Sequence, residues 1–196
     1  MTLLNKTQLI LATLPVVIAS LSGAEPIFED ATKPLNLGIG GGQVAWGDFN
    51  NDGWEDLHDG NLWVNERGKN FSQFTGEGPS GHGIWGDYNN DGWLDFYSWS
   101  NGKLYRNESG KKFANVTPKA LANRPMKVSR GAAWVDMDND GYLDLYVAGY
   151  EIWQKAVYPD ALYRNVGGED FVTHELPKAS NMSARGVSAA DFDADG

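Results

Sequence analysis

The sequence predicts an all-β protein made of repeated four-stranded antiparallel units, and three observations support this. One ten-residue phrase recurs four times along the 196-residue chain, as VAWGDFNNDG, GIWGDYNNDG, AAWVDMDNDG and VSAADFDADG. Short apolar runs alternate with turns rich in Gly, Asn and Asp, which is the pattern of short strands. After the N-terminal segment, no helical periodicity continues long enough for an ordinary helix.

Each complete unit contains four strand-like segments. The first precedes the acidic loop of the repeated phrase, and the second follows it. The third is LWVN or LYRN, and a Gly-bearing turn then leads to a fourth segment that starts with Phe71, Phe113 or Phe171. Repeats of about 40–50 residues with four short strands are typical of β-propeller blades. A β-solenoid is the rival architecture, but its repeats are usually shorter.

The repeats divide the chain into four units, and the ends of the chain suggest a fragment. The expected units are residues 44–82, 83–131, 132–186 and a truncated 187–196. Residues 28–32 (FEDAT) resemble residues 113–117 (FANVT), so we expect an outer strand there that closes a ring with a last blade. Because Gly196 falls inside the fourth acidic loop, we expect a longer protein.

Large aromatic residues recur at two places in each unit. One set lies two residues before the first loop Asp (Trp46, Trp85 and Trp134), and the other lies six residues after it (Trp54, Trp93 and Tyr142). We expect these rings to fill the gaps between neighbouring sheets. Stacking of sugars on the rings is the alternative.

The acidic loops have the spacing of a calcium site. In the second loop, side-chain oxygens occur at positions 1, 3, 5 and 9, a backbone carbonyl is available at position 7, and Gly92 allows the sharp turn at position 6. Ligand sets made only of oxygen favour Ca²⁺ over zinc or copper, and Mg²⁺ demands a stricter geometry. The predicted ligands are Asp48, Asn50, Asp52, Trp54 and Asp56 (loop 1), Asp87, Asn89, Asp91, Trp93 and Asp95 (loop 2), Asp136, Asp138, Asp140, Tyr142 and Asp144 (loop 3), and Asp191, Asp193 and Asp195 (loop 4).

These loops differ from an EF-hand. Position 12 would be Asp59, Ser98 or Val147, so the bidentate Glu is missing, and no helices flank the loops. We therefore expect a modest affinity, roughly 10⁻⁴ to 10⁻³ M as in extracellular modules. The ion would be structural, one per complete loop, because it would relieve the repulsion between neighbouring carboxylates.

The repeated WGDFNNDG and LYRN phrases resemble FG-GAP/VCBS repeats, which form the calcium-loop blades of integrin-α-like propellers. Together with YPDALYRN (residues 158–165), they also resemble the secreted ASPIC/UnbV-associated group related to acidic cartilage proteins. The resemblance implies a seven-bladed propeller, of which residues 25–196 would supply about three blades and a closing strand. It also implies extracellular binding or adhesion.

Composition narrows the possible compartments and partners. The formal net charge of −10 argues against nucleic acid, which requires a basic surface. The absence of cysteine excludes disulfides and thiolate zinc sites.

The N-terminal sequence predicts a signal peptide over residues 1–24. It has a positive charge at Lys6, an apolar stretch over residues 9–21 and the small residues Ser22-Gly23-Ala24. Because that stretch is too short to span a bilayer, we expect a secreted protein without a membrane span, periplasmic or on the cell surface if bacterial.

A ligand would bind on the face opposite the acidic loops. The third unit has extra residues there, GYEIWQKAVYPD at 149–160, and long loops on rigid scaffolds often carry function. Positive charge collects on that face although the protein is acidic. We expect an extracellular protein or carbohydrate ligand, the alternative being ordinary solvated loops. The candidate contacts are Arg124, Lys127, Trp153, Lys155 and Tyr158.

The sequence shows no set of catalytic residues. The histidines His58, His82 and His174 lie at unrelated positions in their units, and no G-x-S-x-G motif occurs. The prominent carboxylates all fit the acidic loops. We therefore expect a binding module, with the propeller domain of an extracellular polysaccharide-active enzyme as the alternative and a structural surface-array protein as a third possibility.

Overall fold

The structure, a computed structural model, describes residues 30–39, 42–124, 129–152, 155–176 and 186–192. From Ala31 onward these residues belong to one compact unit. The predicted signal peptide lies outside the described residues.

Three four-stranded antiparallel sheets follow one another along the chain, which confirms the predicted fold class. Blade 1 has the order β1-β2-β3-β4, blade 2 has β5-β6-β7-β8, and blade 3 has β9-β10-β13-β14. The strands are β1 Ala45–Gly47, β2 Asp56–His58, β3 Leu62–Asn65, β4 Phe71–Gln73, β5 Ile84–Gly86, β6 Asp95–Ser98, β7 Lys103–Asn107, β8 Phe113–Asn115, β9 Ala132–Val135, β10 Asp144–Val147, β13 Ala161–Val166 and β14 Asp170–His174.

Two elements were not expected from the sequence. A short helix, α1 (Lys119–Ala122), lies in the connection between blades 2 and 3. The insertion in unit three, expected to be an irregular loop, forms a hairpin of β11 (Tyr150–Ile152) and β12 (Ala156–Tyr158). The Asp160 carboxylate fixes the base of this hairpin by accepting hydrogen bonds from Gly149 N–H at 2.6 Å and Tyr146 O–H at 2.5 Å.

The apolar core lies between neighbouring sheets. Phe49, Leu62, Phe96 and Phe113 are buried between blades 1 and 2, with Trp85 packed against them. A second cluster fills the gap between blades 2 and 3, and Trp134 lies against it. Propeller-like packing of this kind buries aromatic area that no single sheet could cover alone.

The first set of aromatic residues fills these gaps only where a preceding sheet exists. Trp85 lies over Gly47 and Trp134 lies over Gly86, each against the blade before its own. Trp46, the equivalent residue of blade 1, is 52 % exposed. The sequence prediction is therefore confirmed for Trp85 and Trp134, and it stays a prediction for Trp46, because the described residues contain no sheet before blade 1.

The second set of aromatic residues lies elsewhere than predicted. Trp54 is 42 % exposed. Its ring lies beside Gly68 in the β3–β4 turn of its own blade, 3.1 Å from where a Cβ would be. Trp93 and Tyr142 lie in the same way beside the corresponding turn glycines. These rings therefore cover the turn at the end of the blade and do not fill the gap between sheets.

Residues 28 and 29 of the predicted closing strand at 28–32 fall outside the described residues, and residues 30–32 form no strand. The segment that follows nevertheless holds blade 1. Leu35 C=O accepts a hydrogen bond from Phe71 N–H at 2.8 Å, just as Glu77 C=O accepts one from Phe113 N–H at 2.8 Å in blade 2. Blades 1 and 2 thus have their outer strands held by the segment that leads into them, whereas in blade 3 Phe171 N–H donates to Asp170 Oδ1 at 2.8 Å.

We expect Gly86→Ala to lower the free energy of unfolding by about 1–3 kcal/mol, because overpacking a filled gap forces the surrounding groups apart. The new Cβ would lie 2.5 Å from Cδ1 of Trp134. Urea unfolding measures the change. Gly186→Ala is the control, since a Cβ at that position meets nothing within 4 Å. Equal stability of the two variants would contradict packing between blades at Trp134.

Candidate metal centre

The three complete acidic loops fold by the same local hydrogen bonds. In loop 1 the Asp48 carboxylate accepts bonds from Asp52 N–H at 3.0 Å and Gly53 N–H at 2.8 Å. Asp52 in turn accepts a bond from Trp54 N–H at 3.0 Å. Loops 2 and 3 repeat the pattern from Asp87 and Asp136. Short acidic side chains that bond to nearby backbone N–H groups favour this turn over a regular strand.

The fourth residue of each loop is an Asn in the left-handed region, with φ of 55° at Asn51, 57° at Asn90 and 56° at Asn139. Asn tolerates this conformation better than most residues. In loop 3 the turn brings positions 1 and 3 close to position 9 at the start of the second strand.

The Asp at position 9 is the buried member of each set. Asp56, Asp95 and Asp144 begin β2, β6 and β10, and each is 0 % exposed. One carboxylate oxygen, Oδ1, accepts a hydrogen bond from the backbone N–H of the Asn in the third strand, at 2.7 Å in blade 1, 2.8 Å in blade 2 and 2.7 Å in blade 3. This bond holds one side of the carboxylate in every blade.

The backbone N–H at position 2 of each loop (Phe49, Tyr88 and Met137) faces the position-9 carboxylate and lowers its pKa, but the geometry of this contact is that of a hydrogen bond only in loop 3. Within the described chain, Oδ2 of Asp56 and Oδ2 of Asp95 are buried and have no hydrogen-bond partner. Oδ2 of Asp144 accepts a bond from Met137 N–H at 3.1 Å. A buried carboxylate oxygen without a partner is costly unless a cation completes it.

Burial changes the acidity of these groups. It raises the pKa of Asp56 from the usual 3.8 to about 7, against the opposing bond from Asn65 N–H and with further repulsion from Asp52 and Asp48. It raises the pKa of Asp95 to about 7 for the same reasons. Burial also raises the pKa of Asp144. The buried acid at position 9 of each loop is thus harder to ionise in the absence of a cation.

Loop 3 brings three carboxylates together. One oxygen from each of Asp136, Asp138 and Asp144 lies within 4.8 Å of the others. Loops 1 and 2 have Asn50 and Asn89 at the position of Asp138, so loop 3 carries an additional negative charge. Arg164 on β13 lies beside that charge, with Nη1 at 3.4 Å from Asp138 Oδ2.

The residues present fit Ca²⁺. The donors are carboxylate and amide oxygens without nitrogen or sulfur ligands, and two of the three loops offer a buried oxygen that lacks a partner. In loop 3 the corresponding oxygen of Asp144 accepts a hydrogen bond from Met137, but this loop has an additional carboxylate, Asp138. The carbonyl ligands predicted at Trp54, Trp93 and Tyr142 stay predictions. In loop 4, Asp191 is exposed, and Asp193 and Asp195 lie outside the described residues.

Sequence reasoning noted the Asn of LWVN and LYRN only as a landmark, yet it belongs to the site. Asn107 is 2 % exposed, and Asn165 is completely buried. Besides its bond to Asp95, Asn107 donates from Nδ2 to Leu94 C=O at 3.0 Å and to Phe49 C=O of the preceding blade at 2.8 Å. Asn165 makes the equivalent pair of bonds one blade later. The recurrence of this Asn at the end of every LWVN or LYRN phrase was the signal that could have revealed its role.

On the opposite face, the predicted ligand contacts are only partly described. Lys127 and Trp153 lie outside the described residues, and Lys155 and Tyr158 belong to the β11–β12 hairpin region. Arg124 is anchored, since its Nη1 donates to Trp99 C=O at 2.9 Å and to the Tyr97 hydroxyl at 3.4 Å.

A cavity of about 270 Å³ lies beside Arg124 on this face. The β6–β7 connection contributes Gly102 and Lys103, and the segment from the end of β8 to the end of α1 contributes Asn115 and Leu121. It was not visible in the sequence, because α1 and the β6–β7 turn meet only in the folded sheet.

The fold and the loops define a class: an all-β protein of propeller-like blades with an acidic loop between the first two strands of each blade. More particularly, residues 87–147 match the model of the FG-GAP-like repeat. The match runs from the first Asp of loop 2 to the end of β10, so it includes two of the acidic loops. It gives no support for the finer ASPIC/UnbV grouping.

No curated protein matches the chain. In the part of the chain that the structure describes, no helix is both long and apolar enough to cross a bilayer.

We expect the metal-free protein to lose stability as the pH rises from 5 to 8. Asp56 and Asp95 have folded pKa values of about 7, above the 3.8 of the ordinary side chain. Protonation of these two side chains therefore stabilises the folded protein fully below the ordinary pKa of 3.8. That stabilisation is lost as the pH rises through the folded pKa of about 7. Thermal melts in chelator measure the trend.

Asp95→Asn should flatten this pH profile, since the variant has no proton to lose at that position. Excess Ca²⁺ should remove the fall toward pH 8 in the unmodified protein. A metal-free profile that rises from pH 5 to 8 would contradict the burial of these carboxylates.

Proposed function

We propose that this protein is a calcium-binding propeller module that acts in extracellular binding or adhesion. The observation that supports calcium most directly is the buried, unpartnered Oδ2 of Asp56 and of Asp95 at the start of the second strand. A folded protein rarely keeps such an atom without a partner, and an oxygen-ligated cation is the partner that the surrounding acids favour.

The ion's role in this proposal is structural. Each loop joins the first and second strands of a blade, and its acids come from both ends of that connection. A cation held between them would fix the hairpin and offset the repulsion of like charges. Because it would bind only the folded loops, it would stabilise the protein by mass action.

An extracellular location accounts for a loop of modest affinity, since calcium is abundant there. Proteins with FG-GAP-like repeats are often extracellular. The N-terminal sequence, with Lys6 and the small residues before Glu25, supports export.

We expect Ca²⁺ to raise the melting temperature of the purified protein by several degrees, because about 2.7 kcal/mol is gained at a hundredfold excess over Kd. Asp95→Asn should reduce that rise by removing a ligand of loop 2. At pH 8 in chelator the same variant should melt at or above the temperature of the unmodified protein, because it removes a buried charge.

This reversal separates a metal ligand from a merely structural acid, which would destabilise the protein in both conditions. Mg²⁺ at the same concentration is the control for ionic strength and should have a smaller effect. A melting temperature that is insensitive to both calcium and chelator would reject the calcium proposal.

The ligand-binding part of the proposal concerns the face opposite the acidic loops. In antiparallel four-stranded blades, the loops between strands two and three share an end with the connections to the next blade. The cavity beside Arg124 lies at that end. Its polar lining includes Lys103, Arg124 and the amide of Asn115, whose Oδ1 is already used by Thr117.

These groups present donors and positive charge in a protein whose net charge is −10. Arg124 is held by the bonds to Trp99 and Tyr97, so little side-chain entropy would be lost when it bonds a ligand. An anionic group of a carbohydrate or protein ligand is the chemistry that such a lining would recognise.

We expect Lys103→Gln to weaken binding to polygalacturonate several-fold while leaving the calcium-dependent melting temperature unchanged. Surface-plasmon resonance on the immobilised polysaccharide measures the binding, with neutral dextran as the comparison ligand. Lys111→Gln makes the same charge change on the β7–β8 turn, at the acidic-loop end, and is the matched control. Equal losses in the two variants would indicate nonspecific charge attraction and would reject the cavity as the site.

The enzyme alternative has no specific support among the described residues. His58 is 1 % exposed, and its ring nitrogens are engaged by Pro79 C=O at 3.1 Å and Gly60 N–H at 3.3 Å. The ring of His82 stacks on Trp99 with centroids 5.8 Å apart. Both rings are thus used in packing and hydrogen bonding within the fold.

A further inference from the structure

The acidic loops of neighbouring blades are joined directly by hydrogen bonds. Asn51, at position 4 of loop 1, donates from Nδ2 to Gly92 C=O in loop 2 at 2.9 Å. Asn90, at position 4 of loop 2, donates to Gly141 C=O in loop 3 at 2.8 Å. The same donor and acceptor positions are used at both junctions.

Each of these bonds ends on a peptide group that holds a predicted metal ligand. The peptide of Gly92 and Trp93 accepts the Asn51 bond at its carbonyl, and its N–H donates to Asp91 Oδ1 at 2.9 Å. The Gly141–Tyr142 peptide connects Asn90 to Asp140 in the same way, also at 2.9 Å. Hydrogen bonds in series through one amide polarise each other.

The orientation of Asn51 depends in turn on its own loop. Its neighbours Asn50 and Asp52 are both predicted ligands, and Asp52 N–H bonds to Asn50 Oδ1 and Asp48 Oδ1, each at 3.0 Å. A cation that orders those three side chains therefore also fixes the backbone at Asn51, where φ is 55°.

A second contact joins the neighbouring blades beside these loops. The β7–β8 turn of blade 2 packs on loop 1, where a Cβ on Gly110 would lie 3.0 Å from Asn50 Cα. Gly168 and Asn89 repeat this contact between blades 2 and 3 at 3.0 Å. Each acidic loop thus contacts the next blade twice, through its position-4 Asn on the next loop and through its backbone on the next blade's turn.

We propose that the loops bind calcium with positive coupling between neighbouring blades, and that Asn51 and Asn90 are the positioning residues that transmit it. This inference rests on the proposed calcium function. Filling loop 1 orders Asn51, which holds Asp91 in its ligand position, so loop 2 loses less conformational freedom when it binds. Linkage requires the effect to be reciprocal: filling loop 2 raises the affinity of loop 1 by the same factor.

The test is a double-mutant cycle on loops 1 and 2. Asp48→Asn with Asp52→Asn disables loop 1 while keeping its shape. Asn51→Gly removes the amide donor, and Gly tolerates the positive φ. Asn51 is exposed, so the substitution leaves the core intact.

The affinity of loop 2 is read by Tb³⁺ luminescence sensitised by Trp93, with calcium competing for the site. Trp54→Phe is present throughout to reduce the signal of loop 1, and excitation at the red edge of tryptophan absorption avoids Tyr142 of loop 3. Because Trp93 also lies near Asn50 of loop 1, where both approach Gly110, the affinity is assigned to loop 2 by the NMR signal of the Gly92 amide, which donates to Asp87 Oδ2 at 2.8 Å. A Trp93→Phe protein gives the background from other tryptophans.

With Asn51 present, disabling loop 1 should raise the Kd of loop 2 roughly five-fold, at the lower end of typical coupling between sites. In the Asn51→Gly background, disabling loop 1 should leave that Kd unchanged. Asn36→Gly is the matched control: Asn36 also has φ of 57° and donates from Nδ2, to Phe71 C=O at 3.3 Å, but lies outside the loops. It should leave the coupling intact.

An unchanged Kd of loop 2 on disabling loop 1 would overturn the coupling, even if every loop binds calcium. An equal rise with and without Asn51 would overturn the assignment to that residue. If neither Tb³⁺ nor Ca²⁺ binds in any variant, the proposed function fails together with this inference.

Discussion

The structure depends on one buried acid per blade. The Asp at position 9 lies at the start of the second strand, is fully buried and is held by the N–H of an Asn from the third strand. It links the acidic loop to the middle of its sheet, so the loop cannot move without disturbing that sheet. In loops 1 and 2 one oxygen of this acid is buried without a hydrogen-bond partner. Such an oxygen destabilises the folded protein unless another group, such as a cation, binds it.

The same Asn connects the loop to the neighbouring blade. Asn107 and Asn165 each reach the position-2 carbonyl of the preceding loop, 2.8 Å away in both cases. Asn65 makes only the bonds within its own blade among those described. Inter-blade order therefore comes from polar contacts at the acidic-loop end and from the aromatic rings of Trp85 and Trp134 between the sheets. The rings supply apolar burial, and the amides fix the register of one sheet against the next.

The two ends of the blades thus differ in character. The acidic-loop end is repetitive, since the bonds accepted by the Asp at positions 1 and 5 of the loop and the bond from the Asn of the third strand recur in all three blades. The opposite end varies, with α1 after blade 2 and the β11–β12 hairpin in blade 3. Variation on a fixed scaffold is where binding surfaces commonly lie. The anchored Arg124 and the cavity beside it are found at this variable end.

The sequence by itself determined the all-β class, the four strands of each blade and the positions of the acidic loops. Strand and turn signals are local, and the repeat gave each of them three or four times. The sequence could not show that Trp46 lies exposed while Trp85 and Trp134 are packed, because packing depends on a neighbouring sheet. Nor could it show that Trp54, Trp93 and Tyr142 cover turn glycines, or that residues 149–160 form a hairpin. Only the tertiary structure decided that Asn51, Asn90, Asn107 and Asn165 join one loop to the next, since each partner lies some 40 to 80 residues away along the chain and comes within reach only when adjacent sheets stack.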